Sequence, residues 1–176
     1  MLKNDMFVDD YNIADFQIDC DAFNSIAGKD QKTTHKDLCR QYYLIEEELL
    51  ETRVGLAKND LEEVLDGTID VLVTTLGMLQ KLKNLGFDIS KAMLITAENN
   101  HSKYPITEAV AIETAEMYEK QDVDVKVSYN SEYDVFVIKD SNDKIRKPSN
   151  FVSNDLKDCL PNITGFKDFD IFNACK

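Results

Sequence analysis

The sequence predicts a mainly α-helical protein, a four-helix bundle from about residue 10 to 104 followed by a small C-terminal α+β appendage. Two observations carry this. Apolar residues recur three and four apart through four successive stretches before residue 104, the period of a helix with one buried face. Beyond residue 122 the period switches to two, in VDVKVSYN and EYDVFVIKD, as in paired strands. With 176 residues and 43% hydrophobic side chains the chain can build a real core, which excludes wholesale disorder. The domain reading is a bundle over 1–104 and an appendage over 105–176 packed on the same domain.

Helix one spans about Ile13 to Ala27, with Phe16, Cys20 and Phe23 at helical spacing and Gly28 as its stop. GKDQKTTHKD is a polar loop. Helix two runs from about Lys36 through Leu56 and ends near the Ala57–Asn59 turn. Asp60 N-caps helix three, which reaches about Leu85 before Gly86. Helix four follows Asp88, carries Ile89, Ala92, Met93 and Ile95 into the 98–103 region, and is ended by Pro105. ITEAVAIETAEMYEKQ reads as a further amphipathic helix. The two period-two runs, joined by NSE or a close variant, read as a hairpin. DSNDKIRKPSNF is a turn with a basic, proline-bearing segment, and the tail from Asn154 is irregular.

Lys plus Arg number 20 against 33 Asp plus Glu, a formal charge of -13, so a general nucleic-acid binder is excluded for want of a basic face. The four cysteines form no CxxC pair and the two histidines stand apart, which leaves zinc and redox motifs unsupported. The start, MLKNDMFVDDYN, lacks the apolar core of a signal peptide and no run reaches membrane-spanning length. The expectation is a cytoplasmic protein with reduced thiols and no membrane partner.

The chemistry-bearing feature is carboxylate. In LIEEELLET, Glu48 and Glu51 share a helix face, flanked by Glu47; in helix three Glu63, Asp66 and Asp70 form a second stripe. Asp70 lies among Ile69, Val71, Leu72 and Val73, where a lone buried carboxylate is costly unless paired, protonated or metal-bound. Two antiparallel helices joined by a short turn bring the stripes together. Hard divalent cations are the natural counter-charge, and Mg²⁺ bridges carboxylates to substrate phosphates. The competing reading is a solvated acidic face, preferred for Glu46 and Glu62 and evenly balanced for Glu48 and Glu51 taken alone. For Asp70 it is a buried Asp capped by a polar partner.

EELLE (47–51), followed after residues 52 to 62 by E-V-L-D (63–66) and then Asp70, resembles the acidic motifs of the MazG-like all-α nucleoside triphosphate pyrophosphohydrolases. That superfamily includes dimeric dUTPases, dCTP pyrophosphatases and phosphoribosyl-ATP pyrophosphohydrolase. The ADF of helix one, the LIEEE entry, VLDGTIDVLVTTLG, NNHSKY and KIRKPSNFVSNDLK also resemble a branch common in bacteria and their phages. The likeness covers roughly 11 to 104 and 142 to 157, with 105 to 141 resembling an insertion of phage members. One position departs: Gly67 stands three residues before Asp70, where the superfamily often has an acid.

The resemblance implies a MazG-like bundle that cleaves a nucleoside triphosphate to monophosphate and pyrophosphate, with Mg²⁺ as cofactor and Mn²⁺ as substitute. Glu48, Glu51, Glu63, Asp66 and Asp70 are the implied metal ligands, Asp66 and Asp70 foremost. Glu47 or Glu48 is the implied catalytic carboxylate that orients or deprotonates water. Asn100 and Lys103 match polar positions that meet phosphate or sugar, and Lys147 approaches from the C-terminal segment. Lys144 and Arg146 are better read as surface charge, and His101 as a surface or packing residue. Phe16, Gln17 and Cys20 are candidates for the base and sugar pocket, with packing the leading alternative. A homodimer or a homotetramer is implied, in the cytoplasm, or the host cytoplasm if the chain is phage-encoded. Competing functions are a phosphoribosyl-ATP pyrophosphohydrolase, which is shorter, and an inactive acidic helical interaction protein.

Overall fold

The computed structural model describes residues 11–29 and 33–161. Part of the predicted loop after helix one and most of the predicted tail lie outside these. Five helices occur in the described residues: α1 (Ile13–Ile26), α2 (His35–Lys58), α3 (Leu61–Asn84), α4 (Ile89–His101) and α5 (Glu108–Glu119). They are joined by one antiparallel hairpin, β1 (Val125–Asn130) with β2 (Val135–Asp140), and a single 3-10 turn at Lys157–Cys159. The mainly helical class with a small hairpin therefore holds.

The chain forms two compact units. The first runs to Ile89 and takes up the chain again from Leu160; the second is Ser90–Cys159. The division falls at the start of α4, whereas the sequence reading draws it after residue 104. Helix α4 thus belongs with the later elements, tied to their C-terminal segment by Asn99 Nδ2 donating to the Val152 carbonyl at 2.7 Å. A nearby ion pair joins Lys91 to Asp158 at 3.8 Å.

In the first unit, local chemistry fixes each helix start. The Asn12 side chain accepts from the Ala14 N–H, while the Asp15 carboxylate takes the Asn12 N–H. Asp37 reaches back to the Thr34 N–H and hydroxyl, bonds that hold its carboxyl below the usual value. Lys58 is the last residue of α2 and Leu61 the first of α3, so Asn59 and Asp60 alone make the turn. Asn59 adopts the left-handed conformation (φ 57°) that ends a helix in one step, and Asp60 caps the next by accepting from the Glu63 N–H. So short a link forces α2 and α3 antiparallel, and α1 packs on α3.

The helical hairpin closes unusually near. A Cβ on Gly67 would stand 2.6 Å from Thr52 Oγ1 and 3.2 Å from its Cα; one on Gly55 would meet the Val64 backbone at 3.0 Å. Further along, Gly77 faces the Gln41 amide, which is buried and donates to the Thr74 carbonyl at 2.8 Å. Position 52 therefore lies opposite 67, 55 opposite 64 and 41 opposite 77, a single register along both helices.

In the second unit, α5 packs on the hairpin around Ala111, Thr114 and Ile138, all fully buried. Thr114 Oγ1 donates to the Val110 carbonyl and accepts from the Ser149 N–H, so this fully buried hydroxyl is satisfied. The strands pair Val125 with Asp140 through Asn130 with Val135. Four residues, 131–134, connect them, a close variant of the NSE turn, and the Asn130 side chain closes it by accepting from the Glu132 and Tyr133 N–H groups.

Of the cysteines, Cys20 and Cys159 are buried free thiols.

Candidate functional site

The α2–α3 register carries the acidic stripes onto one another. With 52 opposite 67, Glu48 stands level with the turn of α3 that holds Asp70. The electrostatics agree. The Glu48 carboxyl is pushed above its ordinary value, first by partial burial and then by the negative charges of Asp70, Glu51, Glu47 and Asp66. Glu48 and Asp70 are half-buried, while Glu47, Glu51 and Asp66 are exposed. Five carboxylates from two helices thus act on one volume. Among the described residues none of the five forms an ion pair with Lys or Arg.

Glu63 does not join them. Its carboxylate is taken by Lys58, whose Nζ lies 3.2 Å and 3.4 Å from its two oxygens. It sits beside the interhelical turn, roughly a turn of helix short of Asp66, and serves that turn instead. The structure also accounts for Gly67. A Cβ there would stand 2.6 Å from the Thr52 hydroxyl and 3.1 Å from its backbone nitrogen, so an acid at this position requires Thr52 to shift and the helices to ease apart.

A divalent cation suits this donor set on chemical grounds: every group is a hard carboxylate oxygen, and none of the five is paired with Lys or Arg among the described residues. Among the described residues no three Asp, Glu, His or Cys side chains converge on a point as metal ligands. The five carboxylates stand at charge–charge range instead.

The remaining candidates lie on other elements. Phe16 is half-buried on α1, edge-on to Tyr11 with ring centroids 6.5 Å apart, and Gln17 beside it is exposed. Cys20 is buried on the same helix, its thiol pushed up first by desolvation. These contacts are what packing requires. In the second unit Asn100 and Lys103 do come together, Lys103 Nζ donating to Asn100 Oδ1 at 2.8 Å. Lys147 is exposed, its ammonium 4.5 Å from the Phe151 ring centroid. His101 is exposed, in keeping with a surface role.

Arg146 is neither surface charge nor an available cation. Its guanidinium meets Asp140 at 2.6 Å and lies 5.5 Å from the centroid of Tyr118. The sequence signal for this pair was the DSNDK turn, which returns residue 146 alongside β2, where its N–H donates to the Ile138 carbonyl. Thr52, Gln41 and the three glycines, which set the register, were also missed. Small residues repeated along both helices were the available sign.

Compared with known proteins, the chain matches no family model, no curated sequence and no solved structure.

Proposed function

We propose that the chain is a Mg²⁺-dependent nucleotide pyrophosphohydrolase that cleaves a nucleoside triphosphate to its monophosphate and pyrophosphate. The observation that carries this reading is the α2–α3 register, which sets Glu47, Glu48 and Glu51 against Asp66 and Asp70 with no Lys or Arg paired to any of them among the described residues. Folding gains nothing from gathering like charges, so a cluster without basic partners points to a cationic ligand. The EELLE and EVLD spacing supports the same chemistry by resemblance.

Glu48 and Asp70, half-buried and on opposite helices, would hold the cation with Glu51 and Asp66. The chemistry such an ion would supply there is neutralisation of phosphate charge and a lowered pKa for water. Glu47, which is exposed, would orient an attacking water and accept its proton. The water oxygen bonds to the α-phosphorus, the bridge to the β-phosphate breaks, and pyrophosphate leaves with that electron pair. Rigid helices hold the carboxylates in place before substrate arrives, which is where the gain in phosphoryl chemistry lies.

The helical hairpin also leaves large apolar side chains in solvent: Leu50, Leu56, Leu61 and Leu65 are each more than half exposed. This supports assembly into a homodimer or a homotetramer. Among the described residues no helix is long and apolar enough to cross a membrane. A cytoplasmic site of action is part of the proposal.

The test is a pyrophosphate-release screen over nucleoside triphosphates, with Mg²⁺, with Mn²⁺ and with chelator. Cation-dependent release from at least one nucleotide is expected. Silence across the panel, with no rise in melting temperature on adding either metal, would replace the reading by that of an acidic interaction protein.

A further inference from the structure

We infer that the groove beside α5 is a docking surface for an extended basic segment of a partner protein. A cavity of about 760 Å³ opens between α5, the 122–124 turn and β1, wholly within the second unit. Its floor is apolar, formed by Ile112, Ala115, Val125, Val127 and Phe136, with Ile112 half exposed. Its rim is acidic, carrying Glu108, Glu116, Glu119, Asp122 and Asp124. None of these five forms an ion pair among the described residues. Lys120, the one basic residue between 108 and 124, does not line the groove.

The backbone beside it is also available. The outer side of β2 is occupied: Lys139 bridges to Ile145, and the Phe136 N–H donates to the Pro105 carbonyl. β1 pairs with β2 and, among the described residues, with no other strand. An edge strand above an apolar floor accepts a further strand through main-chain hydrogen bonds, with alternate side chains seated below. Glu108 and Glu119 mark the ends of the groove, about 16 Å apart at the helical rise. About five extended residues span that length.

Charge selects the occupant. A second copy of this chain, with a formal charge of -13, would bring more carboxylate to an acidic rim. A segment alternating apolar residues with Lys or Arg meets both surfaces, its apolar side chains on the floor and its cations along the rim. The rim acids crowd the end at Glu116, Glu119, Asp122 and Asp124, so the partner's basic residues are densest there. This proposal is independent of the carboxylate cluster in the first unit.

The experiment uses the full chain and a fluorescent peptide of that length alternating valine with lysine, followed by anisotropy. Binding that weakens with added salt is expected. It should fall on the order of tenfold in the double variant Glu116→Lys, Glu119→Lys. A serine-for-valine peptide should also bind on the order of tenfold less tightly, because the floor is left without apolar contact. The milder pair Glu116→Gln, Glu119→Gln gives a smaller loss of the same sign should the lysine variant misfold. No binding by the valine peptide, equal binding by the glutamine pair, or equal binding by the serine peptide each overturns the proposal; the last would mean diffuse attraction of cations alone.

Discussion

The helical hairpin and the second unit treat their carboxylates in opposite ways. The Asp140 side chain is 5% exposed, accepts from the Asn142 and Lys144 N–H groups and pairs with Arg146 at 2.6 Å; its carboxyl is held below the usual value, first by the Lys144 bond. Glu48, less deeply placed, is pushed upward by burial and four neighbouring acids. One acid is answered by donors and a guanidinium, the other by further acids. Asp140 is therefore explained by the fold, because it locks the turn that returns the chain to β2. Glu48 is not, and an arrangement that the fold does not need invites a ligand.

Five substitutions break or sharpen this contrast. The largest expected effect is on turnover: Asp70→Asn and Glu51→Gln each lower pyrophosphate release by more than about a hundredfold, with the far-ultraviolet circular dichroism of the parent. Near-parental rates in both would reduce the cluster to a surface accident. Next, Gly67→Glu tests whether helix contact, rather than charge, sets that position. Overpacking against the Thr52 backbone should cost about 1–3 kcal/mol in urea unfolding. A variant as stable as the parent would show that the helices can part freely.

Asp140→Asn comes third. Its parent carboxyl titrates below the ordinary 3.8, so the stability it lends is complete above that value and is lost as pH falls through the lowered one. The variant should melt lower than the parent at pH 7, and the gap should close in acid. A gap independent of pH would assign the loss to geometry rather than to charge. The smallest effect has the opposite sign. Glu48 titrates above the ordinary 4.5, so its ionisation weakens the folded state as pH rises through the acidic range. Without metal, Glu48→Gln should melt slightly higher than the parent at pH 7, by less than about 1 kcal/mol in stability given its partial exposure. Below pH 4 the two should coincide.

Much of this was legible before any coordinates. Period and caps placed each helix within a few residues, because Asp60, Gly28 and Gly86 act locally. The stripe of Glu48, Glu51, Asp66 and Asp70 was legible for the same reason, since spacing of three and four fixes a face. Partners across space were not. The amphipathic pattern of α4 says that it buries a face, not against which element, so its membership in the second unit went unseen. Glu63 lies on the same stripe as Asp66, yet one lysine across the turn diverts it. Arg146 looked like surface charge because its acid, Asp140, is reached only by closing a turn through Asp143 in the left-handed conformation.

The two-residue link at Asn59 and Asp60 bears on folding kinetics as well as on architecture. Everything that gathers the acids lies between residues 41 and 77, with no long loop to close, so the contacts are local and form early. The nascent hairpin then meets its own repulsion before the rest of the chain has condensed. A divalent cation that relieves this repulsion should speed refolding and not only retard unfolding; stopped-flow traces with and without Mg²⁺ would register it as a steeper approach from the unfolded side.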